Sequence, residues 1–163
     1  MIATSKGRPS CIAGIGCTIA SAVYISLSSL SFAESDNRSL RPEDPKIVRL
    51  GNSIYVEQCA SCHGKNLEGE ANWKRPNKDG LLPAPPHDET GHTWHHADSL
   101  LFDLTKYGLA KTAGLKNYKT NMPVFEGVLT DEEIIAVLSF IKSRWPEDVR
   151  ARHDQLNLAV EGK

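Results

Sequence analysis

The sequence predicts an all-α fold of three to five helices. Three observations carry this. Apolar residues recur three and four apart in three separate stretches. Helix-start signals, Asp44-Pro45 and Thr130-x2-Glu133, stand ahead of two of them. No alternation of strand and helix patterns appears anywhere along the chain.

The first helix begins with Asp44 as N-cap and Pro45 at the first helical position. Ile47, Leu50, Ile54 and Tyr55 form its inward stripe. Gly51 falls inside it, where glycine costs about 1 kcal/mol relative to alanine. Close approach by another helix, which a Cβ would block, explains it. The helix carries the chain into Cys59. A second helix spans 98–107, with Leu100, Leu101, Leu104 and Tyr107 inward and Gly108 as C-cap. The third opens on the Thr130/Glu133 capping box, buries Ile134, Ile135, Leu138, Ile141 and Trp145, and stops at Pro146. Residues 147–163 read as a charged tail with few apolar marks (Val149, Leu156, Leu158), holding a short helix at most. Disorder is expected after Leu158. Between the first two helices, Leu82-Pro83-Ala84-Pro85-Pro86-His87 is too proline-rich for helix or central strand.

The organising motif is Cys59-Ala60-Ser61-Cys62-His63. Cys-x-x-Cys alone fits a redox pair, half a zinc site or a disulfide. A redox pair wants a βαβ setting, and a zinc site wants a second ligand pair; neither is present. His63 directly after the second thiol turns the reading to covalent haem attachment. Each sulfur can add to one vinyl group, and the imidazole then lies under the iron.

The 163 residues suffice for one domain plus a targeting segment. The net charge of −1 gives no reason to expect nucleic acid or another polyanion as partner. Lys6 and Arg8 followed by the apolar, small-residue run from Cys11 to Phe32 read as a secretory signal over residues 1–33, cleaved after Ala33. An uncleaved membrane anchor fits less well, because five serines interrupt the run. A lipoprotein site at Cys17 lacks the aliphatic residue expected three positions earlier. Export predicts a periplasmic location. Removing Lys6 and Arg8 from 19 basic residues leaves 17 against 20 acidic ones. Residues 34–43 read as a flexible lead-in, and 44–146 as the domain. With Cys11 and Cys17 in the leader and Cys59 and Cys62 on the haem, no structural disulfide is left. A domain this small has a thin core, so the haem-free chain is expected to be largely unfolded.

Gly51-x3-Tyr55-x3-Cys59-x2-Cys62-His63-Gly64, with Met122-Pro123 and a closing helix downstream, resembles the class I bacterial c-type cytochromes over residues 44–146. The resemblance implies the cytochrome c fold around one covalent haem c. It also implies crossing of the first and last helices near Gly51. His63 and Met122 would be the axial iron ligands, and a proline carbonyl in the loop would accept the proton of the axial imidazole. Pro85 is the first choice for that carbonyl, with Pro83 a competitor. Trp94 or Trp73 would donate to a haem propionate or simply pack on the ring edge. Met122 is the only methionine after the leader. Filled on both faces, the iron has no place for a substrate, so no small-molecule substrate is expected. The implied role is one-electron transfer between redox proteins by transient docking, without catalysis. Lys106, Lys111, Lys116 and Lys119 would form a positive rim toward an acidic partner. Two other classes stay open. One is the haem-bearing subunit of an oxidase or dehydrogenase complex at a membrane. The other is a periplasmic metal-handling protein using the loop His87–His96, where His87, His92, His95 and His96 crowd together.

Overall fold

A computed structural model describes residues 38–162. The expected signal segment, with Cys11 and Cys17, lies outside the described residues. Helix α1 runs Pro45–Gln58, α2 is the short Ala60–His63, and a 3-10 turn covers Thr93–His95. Helix α3 is Asp98–Thr112, α4 is Asp131–Ser143 and α5 is Glu147–Glu161. Among the described residues there is no strand, only one isolated bridge between Glu126 and Leu129. The all-α expectation holds.

Both N-terminal signals act as read. The Asp44 carboxylate accepts from the Lys46 and Ile47 amides at 2.8 and 3.4 Å. Thr130 and Glu133 exchange hydrogen bonds as a complete capping box. Helix α4 forms the centre of the domain. It packs against both α1 and α3, and so buries Ala136, Val137, Ser139 and Lys142 besides the expected Ile134, Ile135, Leu138 and Ile141.

The α1–α4 contact is centred on Gly51. A Cβ there would lie 1.9 Å from the Ala136 carbonyl oxygen and 2.8 Å from Phe140 Cβ. The Tyr55 and Phe140 rings meet beside it at 5.4 Å. Leu50 departs from expectation: it is 41 % exposed. Because the contact falls on Gly51, the preceding side chain is turned about 100° around the helix toward solvent. In α3, Leu101 and Phe102 are buried while Leu100 is exposed. Gly108 ends the regular part as expected, at φ 80°, and a further turn follows it.

Of the two chain segments expected to be loose, the described parts, residues 38–43 and the tail after Pro146, are both fixed. In the lead-in, Leu40 is buried. Its amide donates to Asp98 Oδ2 at 2.8 Å, and the Arg41 amide donates to Ser139 Oγ at 2.8 Å. Arg38 pairs with Asp103 at 3.2 Å, and Arg41 with Glu132. The tail is a helix of 15 residues. Val149 and His153 of α5 are buried. His153 donates through Nε2 to the His96 carbonyl at 2.9 Å and meets Trp145 edge-on. Asn157 caps α3 from outside: its Oδ1 accepts from the Asp98 amide at 2.8 Å, and its Nδ2 donates to Asp98 Oδ1 at 3.0 Å. Lys142, buried, reaches Asp154 at 2.6 Å. The tail is held by polar contacts to distant residues, which apolar periodicity does not register. No helix among the described residues is long and apolar enough to cross a membrane.

Candidate haem-binding site

Cys59 closes α1, its amide donating to the Tyr55 carbonyl at 2.9 Å, and at once opens α2. The Cys62 and His63 amides both donate back to the Cys59 carbonyl, at 3.1 and 2.9 Å. That single turn brings residues three and four apart onto one face, so both thiols and the imidazole are presented together. Cys59 is partly buried and Cys62 exposed. Burial pushes the Cys59 thiol up to about 11, with Cys62 adding to it.

His63 is buried. Its Nδ1–H donates to the Pro85 carbonyl at 2.9 Å, which leaves Nε2 as a bare lone pair. Burial lowers the pKa of His63 below the usual imidazole range, outweighing the opposing pull of the Pro85 carbonyl and Glu70. A neutral ring with a fixed tautomer is what a metal ion requires of histidine. The loop is built to place that carbonyl. The Gly69 amide donates to the His63 carbonyl at 2.8 Å, and the Glu70 amide donates to the Ala84 carbonyl at 2.9 Å. The Ala84 amide donates to Glu70 Oε2 at 2.6 Å. A Cβ on Gly69 would sit 2.5 Å from Pro86 N, so the two loop limbs touch through backbone. Tyr55 anchors the near limb, its hydroxyl donating to the Gly64 carbonyl at 2.8 Å. Of the two candidate prolines, Pro85 makes the contact.

Sequence reading missed what backs His63. The His87 ring stacks on it, centroids 4.0 Å apart and planes 19° from parallel. His87 Nδ1 lies 2.8 Å from Thr93 Oγ1. The Trp145 indole donates to the His87 carbonyl at 2.7 Å. Burial, reinforced by His63 and His92, holds His87 well below the ordinary imidazole range. The other histidines stand apart from this stack. His92 lies on Trp73 at 5.4 Å and meets His96 edge-on at 5.5 Å. Among the described residues no three His, Cys, Asp or Glu side chains are grouped to hold a metal ion. The Trp94 ring lies against His95, and its indole donates to the Glu89 carbonyl at 3.3 Å, within its own loop.

Met122 lies between α3 and α4 and is 39 % exposed, its amide donating to Thr120 Oγ1 at 3.1 Å. Leu115, Tyr118, Val124 and Val128 in the same segment are also exposed. The paired thiols and the bare Nε2 fit the vinyl groups and the iron of a haem. The expected lysine rim is reduced. Lys106 pairs with Asp131 at 2.5 Å and Lys111 with Glu126 at 3.3 Å. Lys116 and Lys119 have no acidic partner among the described residues.

An all-α domain presenting two thiols and an oriented imidazole on one turn defines a protein that carries haem covalently. The cytochrome c family model matches residues 48–145, and the chain belongs to that family. It is a c-type cytochrome, an electron-transfer protein whose cofactor is haem c. No curated protein and no solved structure matched the chain.

Proposed function

We propose that this chain is an exported, single-haem cytochrome of the class I bacterial type, passing one electron at a time between redox proteins in the periplasm. The observation that carries the reading is the His63 ring, held through Nδ1 by Pro85 with Nε2 free, one residue after the cysteine pair. When bound, the haem supplies a one-electron ferric/ferrous couple. Cys59 and Cys62 hold it through thioether bonds. His63 Nε2 would ligate the iron, and the Pro85 carbonyl would raise the basicity of that ring by drawing on its other proton. Met122 would supply its thioether as the second protein ligand. A soft sulfur there favours the ferrous state and raises the potential. With protein groups on both faces, substrate is kept from the iron, which suits electron transfer rather than oxygen or peroxide chemistry. Lys116 and Lys119 supply the residual positive charge toward an acidic partner, so docking weakens with salt.

The test is Met122→Ala. The ferric protein should lose the weak far-red absorption of thioether ligation, its potential should fall, and the ferrous form should take up carbon monoxide. A variant with the wild-type spectrum and potential would remove Met122 from the site.

A further inference from the structure

We propose that His87 is a positioning residue for the axial imidazole: its ring backs one face of His63 and, together with Pro85, fixes the plane that His63 presents to the haem. This rests on His63 being the axial ligand. A ring held by a single hydrogen bond, here Nδ1–H to the Pro85 carbonyl, can still pivot about the line of that bond. A flat, near-parallel partner at 4.0 Å removes the pivot. His87 is itself fixed from three parts of the fold. Its amide donates to the Leu67 carbonyl at 2.8 Å. Its carbonyl accepts from the Trp145 indole at 2.7 Å, and its ring nitrogen is bonded to the buried Thr93 hydroxyl at 2.8 Å. Simple filling of this space would call for an aliphatic side chain. A polar ring placed there with its own dedicated hydroxyl partner is a costlier choice for packing alone. It does provide a planar surface of defined orientation. The orientation of the axial ring controls how unpaired spin spreads over the ferric haem, and hence both its spectroscopic anisotropy and its potential.

The experiment uses the haem-loaded protein and reads the haem-methyl shifts of the ferric form by proton NMR, together with the potential. His87→Leu, similar in bulk but not flat, should change the spread of the methyl shifts and move the potential while thioether attachment is kept. His87→Phe, flat but without the Thr93 bond, should lie closer to wild type than the leucine variant. Thr93→Val, which frees the His87 ring without removing it, should shift the pattern in the same direction as His87→Leu, and it decides the matter if that variant gives no holoprotein. Wild-type shifts and potential in His87→Leu, or in Thr93→Val where it decides, would overturn the role. So would a phenylalanine variant as far displaced as leucine. A wild-type ferric spectrum without an imidazole ligand would overturn the His63 reading and this one with it. An imidazole-ligated wild type with unchanged variants overturns this one alone.

Discussion

Gly51→Ala tests the helix crossing on which the domain is built. The added methyl would lie 1.9 Å from the Ala136 carbonyl oxygen, 2.5 Å from its carbonyl carbon and 2.8 Å from Phe140 Cβ. Relaxed non-bonded contacts sit near 3.5 Å, so the helices would have to part by roughly 1–1.5 Å. Two of the three clashes are with backbone in the middle of α4, which cannot swing aside as a side-chain tip could. A gap of about 1 Å forfeits up to half the dispersion well of each contact across it, and Tyr55 and Ile54 are buried on the same face of α1. Overpacking of this severity falls at the upper end of the usual range, about 3 kcal/mol. Alanine's better helix propensity returns about 1 kcal/mol. The net expectation is a loss of about 2 kcal/mol, or a fall in Tm of roughly 8 °C for a domain of this size. Urea and thermal unfolding of the haem-loaded protein would measure it, with Asn52→Ala, exposed on the same helix, as the control for propensity. Equal or higher stability in Gly51→Ala would refute the argument, since propensity alone predicts a gain.

Three further outcomes are expected. Tyr55→Phe removes the hydroxyl bonded to the Gly64 carbonyl and should lower stability by about 1 kcal/mol, read as a shifted urea midpoint with unchanged slope; an unmoved midpoint would show the bond to be idle. Gly69→Ala would force a Cβ to within 2.5 Å of Pro86 N, push the Pro85 carbonyl off His63 and raise the potential, because a less basic imidazole stabilises ferric iron less; an unchanged potential in a folded variant would contradict the loop's role. The third concerns pH. Burial, then Lys142, lowers the pKa of His153 below 6.5, with Asp98, the His96 carbonyl and Asp154 opposing. The unfolded chain therefore binds this proton first as pH falls. Its contribution to stability is full above pH 7.5 or so and is lost as pH drops through about 6.5, by at most about 1.4 kcal/mol per unit. His153→Gln should show a shallower loss between about pH 7 and 5 in unfolding titrations; parallel curves would exclude His153.

How much of this was legible in the sequence varies with the range of the interaction. Helices α1 and α4 announce themselves because their caps are local: Asp44 and Thr130 bond amides two and three residues away. Gly51 marks a close approach by its lack of a Cβ, but which neighbour is thereby turned to solvent, here Leu50, depends on where the helices cross. Helix α5 escaped because its anchors are His153 and Asn157, polar residues whose partners, His96 and Asp98, lie more than fifty positions away. At the site, the thiols and His63 follow from spacing alone. Pro85 could not be separated from Pro83 by local pattern; the pairing of Glu70 with Ala84 decides it. His87 is hidden within a histidine-rich run of which, once folded, it alone stacks on His63, while His92 and His96 meet each other.

The segment before α1 and the helix that ends the chain are joined by the contact between Arg150 and Glu43, 2.6 Å apart and 107 positions distant in sequence. An exposed ion pair of this kind contributes at most about 1 kcal/mol, so its significance is geometric rather than energetic. It can form only where the intervening helices have already brought its two halves together, and it therefore reports the finished arrangement of α1, α3 and α4 more than it enforces it.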